Sequence, residues 1–99
     1  MPTFLAKKEV YLWLKQGKKT IDVRKGNPQK GGIIEFICGP YRLRLRVVNV
    51  QCGRLCDVIR SDNFRQVIPS AVCLEDALGY LRGIYGDYDG VFTAYTVEP

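Results

Sequence analysis

Apolar and polar positions change period several times along the chain, and each change marks an element. Residues 3–6 (TFLA) form a short apolar run that reads as a strand. Across residues 7–16 (KKEVYLWLKQ), Val10, Trp13 and Leu14 recur at spacings of three and four, while Lys7, Lys8, Lys15 and Gln16 face water; this period predicts a short helix. Gly17 follows as a C-terminal cap residue and stops it. Residues 20–24 (TIDVR) alternate strictly, with Ile21 and Val23 on one side and Thr20, Asp22 and Arg24 on the other, as a strand does. KGNPQKGG is a loop by its Gly, Asn and Pro. Residues 33–37 (IIEFI) and 41–50 (YRLRLRVVNV) are strands joined by the short CGPY turn, which predicts an antiparallel hairpin.

The second half is more helical. Residues 54–60 and 62–67 read as short helical turns. Residues 74–85 (LEDALGYLRGIY) carry the strongest helical stripe, through Leu74, Ala77, Leu78, Leu81 and Tyr85. Ser70 or Cys73 stands before its first turn, where Glu75 and Asp76 suit the helix dipole. Gly86 to Gly90 form a loop, and residues 91–97 (VFTAYTV) a final strand. There are no repeats and no linker. Helices mix with mostly antiparallel strands without regular βαβ alternation, so the expected class is α+β, a small β-barrel with two main helices and short helical turns.

Composition narrows the function. With 99 residues the chain is expected to be one domain, 1–99, and 46% hydrophobic residues exclude simple disorder. No apolar run approaches the ~20 residues of a membrane span, and MPTFLAKKEV lacks the long apolar stretch of a secretory signal. The expectation is a cytoplasmic monomer without membrane contact. There is no His, which excludes Ser-His-Asp, Cys-His and HExxH chemistry. Cys38 ends an apolar strand and Cys73 lies in an apolar stretch, so the four cysteines are expected to be free, small buried hydrophobes. The alternatives are a disulfide, or an all-thiolate zinc site using Cys52-x-x-x-Cys56. No metal or other cofactor is expected.

Charge changes the picture most. Residues 1–50 hold eleven Lys and Arg against three acids; residues 51–99 hold four against seven. The asymmetry suggests a basic face and a polyanionic partner. Two features concentrate it. Arg42, Arg44 and Arg46 alternate with Leu43, Leu45 and Val47, so three guanidiniums line one strand face. That face either tracks phosphates or is a solvated sheet surface with Glu35 pairing one Arg across the hairpin. The second feature is GKKTIDVR (17–24), which sets Lys18 and Lys19 at a helix-to-strand turn and Asp22 and Arg24 together on one strand face.

This segment resembles the signature of the ASCH domain (activating signal cointegrator homology), a small barrel of the PUA-like superfamily. The family pattern is Gly-x-Lys-x-x-Glu-x-Arg after a short helix. Gly17, Lys19 and Arg24 match it, and Asp22 stands in place of the Glu. The order of a short strand, helix, motif strand, Gly-containing loop and strand (KGGIIEF) is similar too, with Gly31-Gly32 where the family often has Gly-Asp. A late helix ending Ile84-Tyr85 and the strand GVFTAYTV complete the likeness, which covers residues 3–50 well and 70–97 loosely. The resemblance implies a barrel with a basic cleft between barrel and helices, lined by the motif. It also implies RNA binding or a link to RNA modification. Some bacterial relatives are amidohydrolases of N4-acetylcytidine nucleosides, with catalysis by a motif Lys, a Thr three residues later and a Glu near the last helix. Lys19 occupies the first position, Asp22 the second and Ser70 approximately the third.

A lysine that acts as base or nucleophile needs a depressed pKa, from burial or nearby cations. Asp22 favours the ammonium, whereas Lys18 and Arg24 oppose it. The favoured reading is therefore binding of RNA or another single-stranded nucleic acid through Lys18, Lys19, Asp22, Arg24, Arg42, Arg44, Arg46 and Tyr41. The alternatives are an amidohydrolase on a modified nucleoside, with Lys19 and Asp22 catalytic, and a module that binds a protein partner through its acidic half. Tyr11, Trp13, Tyr41 and Tyr85 are the aromatics available for stacking on bases, with Tyr41 the one expected to be exposed.

Overall fold

The computed structural model describes residues 1–99. It runs β1 (Thr3–Leu5), α1 (Lys8–Lys15), β2 (Ile21–Lys25), β3 (Ile33–Cys38), β4 (Tyr41–Gly53), α2 (Leu55–Val58), α3 (Phe64–Val67), α4 (Leu74–Tyr85) and β5 (Phe92–Glu98). The five strands form one curled sheet in the order β1-β3-β4-β5-β2. β1 pairs with β3 in parallel; every other pairing is antiparallel. The fold is α+β, a small barrel-like sheet with helices, as the periodicity predicts. No helix is long and apolar enough to cross a membrane.

β4 is longer than its sequence pattern indicates. A register shift between Val47 and Asn49 interrupts the ladder to β5, and pairing then resumes through Gly53. The irregularity falls at Val48, and both Val48 and Val50 are exposed although the run reads as apolar.

Alternation builds two cores rather than one. Inside the curl, Phe4, Ile34, Phe36, Leu45, Tyr95 and Val97 pack with Val10 and Leu14 of α1. On the opposite face of β2 and β5, Ile21, Val23, Phe92 and Ala94 pack against α2, α3 and α4 through Val58, Val67, Ala77, Leu78 and Leu81. Trp13 is half-buried and touches both clusters. Truncating a fully buried ring such as Phe36 is expected to cost about 3–5 kcal/mol.

The end of α1 sets the position of the motif. Gly17 adopts a positive φ of 77°, and the Lys18 and Gly17 amides donate to the Trp13 and Leu14 carbonyls. This paired cap satisfies the last helical carbonyls and turns the chain by a route that favours glycine. The Lys19 amide also reaches the Trp13 carbonyl, and the Thr20 amide donates to the Gln66 carbonyl of α3.

The cysteines depart from expectation. Cys52, Cys56 and Cys73 are exposed and Cys38 is half-buried; all four are free thiols. Cys73 lies outside α4 as its N-cap, and Cys56 takes the solvent side of the single-turn helix α2, so the apolar neighbours in sequence go inward without them. No group of three or more Cys, Asp and Glu side chains is placed to hold a metal ion.

Candidate binding cleft at the barrel seam

β1 and β2 are the two edges of the curled sheet, and the gap between them is the barrel's seam. β2 presents Ile21 and Val23 to the helices. Its other side chains, Asp22 and Arg24, therefore turn toward the inside of the curl, beside β1. Asp22 is 3% exposed. Arg24 Nε donates to Asp22 Oδ2 at 2.6 Å and its Nη2 to Oδ1 at 3.3 Å, a two-pronged pair that occupies both carboxylate oxygens. Nη1 of the same guanidinium donates to the Leu5 carbonyl at 2.9 Å, and the guanidinium carbon lies 4.6 Å from the centre of the Phe4 ring. Arg24 thus laces one edge strand to the other.

Lys19 enters the seam from the turn before β2 and is buried, at 4% exposure. Its ammonium donates to the carbonyls of Ile21 and Val67. Burial pushes its pKa down from 10.5 to about 8; Asp22 works against this and Arg24 adds to it. Every buried side-chain nitrogen and oxygen has a hydrogen-bond partner.

These groups line a cleft of about 160 Å³, walled by Lys7, the N-cap residue of α1, by Val10 of α1 and by Tyr80, Ile84 and Tyr85 of α4. Tyr80 donates to Glu9 Oε1 at 2.7 Å and so ties α4 to α1. Burial, followed by that bond and the Glu9 charge, raises the Tyr80 phenol to about 12. Burial also raises Tyr85; Arg24 and the Lys25 backbone oppose the rise, while Asp22 adds to it. Both tyrosines are neutral donors at neutral pH. Tyr80 and Ile84 flank the apolar stripe of α4, and no sequence signal separates them from ordinary packing residues.

The sequence candidates fall into separate places. Lys19, Asp22 and Arg24 meet in the cleft. Lys18 is exposed at the preceding turn, and Ser70 is exposed before α4, outside the cleft lining. Arg42, Arg44 and Arg46 lie on the outer face of β4, where the ladder sets them beside Glu35 and Glu98. Arg42 Nη1 and Arg44 Nε share Glu35 at 2.9 and 3.0 Å, and Arg46 Nη2 reaches Glu98 at 2.5 Å. The Arg44 bond, with help from Arg42, holds the Glu35 carboxyl below its ordinary range. Tyr41 is exposed at the hairpin turn, away from the cleft, and its ring centre is 6.0 Å from that of Tyr11, which is buried. Trp13 packs inward, as its helix face indicates.

The sequence matches no protein-family model and no curated protein. The fold does have solved counterparts. The crystal structure of the hypothetical protein PH0355 of Pyrococcus superposes with a TM-score of 0.81 over 98% of this chain and 96% of that one, at 23% identity. The solution structure of PF0455 from Pyrococcus furiosus superposes with a TM-score of 0.66 over 99% and 96%, at 22% identity. The chain shares its fold with these two proteins.

Proposed function

We propose that this protein binds single-stranded RNA, or a similar single strand, and takes one base into the seam cleft. The observation that carries this reading is the supply of unspent donors there. A lysine ammonium has three N–H donors, and two of those of Lys19 are used. A guanidinium has five, and three of those of Arg24 are used. One N–H of Lys19 is left for a ligand, together with those of Arg24 that the Tyr85 hydroxyl does not take. The cleft therefore favours a ligand rich in oxygen or nitrogen acceptors, while its apolar walls and tyrosines suit a flat ring. Its size agrees, since a cavity of about 150 Å³ holds one benzene-sized ring. The net charge of +5 favours a polyanion. The resemblance of GKKTIDVR to the ASCH signature, in a PUA-like barrel, supports the same reading.

The test is titration of a fluorescein-labelled uridine dodecamer at several salt concentrations. Binding that weakens steeply with salt, and that falls at least tenfold in Lys19→Met, supports the proposal. Unchanged binding in Lys19→Met removes the cleft from it.

One observation favours hydrolysis of a modified nucleoside as a second reading. With a pKa of about 8, Lys19 is neutral in an appreciable fraction of molecules at neutral pH. A neutral amine that gives both N–H groups to Ile21 and Val67 keeps a lone pair with which to take a proton from water. Attack of that water on the acetyl carbon of N4-acetylcytidine breaks the amide bond. Acetate leaves, and the cytosine amine takes up a proton. Release of cytidine on incubation with N4-acetylcytidine, lost in Lys19→Met, would establish this reading over simple binding.

A further inference from the structure

A second concave surface lies on the other side of α1. Lys8, Tyr11, Leu12 and Lys15 fall at i, i+3, i+4 and i+7, so they share one helix face. That face meets the β3–β4 turn at Pro40 and Tyr41 and leaves a groove of about 460 Å³. We propose that this groove is a second contact for the same single strand: one base stacks on Tyr41, and the phosphates on either side pair with Lys8 and Lys15.

Three observations carry it. The first is charge. Both ionised side chains on the groove are lysines, with no carboxylate among its lining residues. The one acid of α1, Glu9, is turned away to Tyr80. The occupant this selects is anionic. The second is the aromatic platform. Tyr41 is 62% exposed, yet its ring is backed by the buried Tyr11 at 6.0 Å. An exposed ring held in place loses little freedom when a base stacks on its open face, whereas a freely rotating one must be ordered first. The third is spacing. Lys8 and Lys15 stand about 10 Å apart along the helix axis, on either side of the tyrosines, so a stacked base lies between the two charges.

The groove adjoins the cleft across one helical turn, since Lys7 and Val10 line the cleft and Lys8 and Tyr11 the groove. A strand that crosses the first turn of α1 reaches both. The inference thus rests on the nucleic-acid reading of the cleft, but the two can fail separately.

The experiment uses the same uridine dodecamer. Tyr41→Ala should weaken binding roughly tenfold, as loss of one stacked base does. Lys8→Ala with Lys15→Ala should reduce the slope of log affinity against log salt by about 1.4, two single-strand phosphate contacts. Thermal unfolding checks that the variants fold; Tyr41, Lys8 and Lys15 are all exposed. Loss in these variants with none in Lys19→Met keeps the groove and removes the cleft. Loss in Lys19→Met alone overturns the groove. Polyglutamate that displaces the dodecamer as well as uridine competitor does would mean that charge alone governs the groove, and that also overturns the proposal.

Discussion

Arg24 Nη1 donates to the Leu5 carbonyl across the open seam, so one side chain joins the first and last strands of the sheet order. The same guanidinium is the sole ion-pair partner of the buried Asp22. Removing it leaves a buried carboxylate without its hydrogen-bonded partner, with only the Lys19 charge nearby, and that cost exceeds the value of the pair itself. Arg24→Ala should therefore destabilise the protein by about 3–5 kcal/mol. Asp22→Asn combined with Arg24→Ala should cost clearly less, because the stranded charge goes too. Urea unfolding with an unchanged m value measures both. If the single variant is no worse than the double, Asp22 is not held by Arg24 in the way described.

Lys19 gives the protein a stability that rises in alkali. Its folded pKa is about 8 and its ordinary value 10.5. Between these two pH values the unfolded chain still binds a proton that the folded protein has released, so stability rises with pH across that window. Below about 8 the cost of burying the ammonium is present in full; above 10.5 it is gone. A shift of this size corresponds to about 3 kcal/mol. In Lys19→Met the contribution disappears. The variant loses the donor to two backbone carbonyls, worth about 1 kcal/mol each, so its stability at neutral pH should stay near that of the parent while its alkaline slope flattens. Urea midpoints of both proteins across this window decide it; equal slopes would mean that Lys19 keeps its proton in the fold.

Much of this arrangement is legible in the sequence, for a local reason. The periods of TIDVR and RLRLRV assign each side chain to a face, and the Gly17 cap fixes where the motif begins; both are properties of neighbouring residues. What sequence does not reveal is which faces meet. Asp22 and Arg42 both read as polar positions on alternating strands. Only curling of the sheet sends the first inward to the seam and leaves the second on the outside with Glu35. Tyr80 reads as the polar flank of a helix, and its role depends on Glu9, 71 residues away. The burial of Lys19 is equally non-local, since it is Val67 from α3 that caps its ammonium.

The cysteines test the packing directly. Cys52, Cys56 and Cys73 are exposed and Cys38 is half-buried between strand end and turn. A thiol reagent such as dithiobis-nitrobenzoate should titrate the three exposed thiols of the native protein quickly and Cys38 more slowly, with all four equal after unfolding in urea. The AVCLEDAL pattern favours a buried Cys73, which would instead protect it. Slow reaction of Cys73 in the native state would show that the chain before α4 packs inward.

The outer arginines set the last prediction. Glu35 is shared by Arg42 and Arg44, and Arg46 is paired with Glu98, so three guanidiniums face two carboxylates. Such a surface has only a small charge excess, and an incoming phosphate must compete with carboxylates already in place. Lys8 and Lys15 of the groove have no such competition, since no carboxylate lines it. Arg42→Ala with Arg44→Ala should therefore lower affinity for a uridine dodecamer by no more than about threefold at moderate salt, a general loss of positive field rather than of a contact. The same pair of changes frees Glu35. In the parent, a depressed carboxyl contributes stability above its ordinary pKa of 4.5, lost as pH falls through the lower folded value. The double variant should thus show a shallower fall in stability on the acid side. Binding and acid unfolding of one variant give two independent readings. A loss of affinity beyond tenfold would make the outer face, not the seam, the surface that meets nucleic acid.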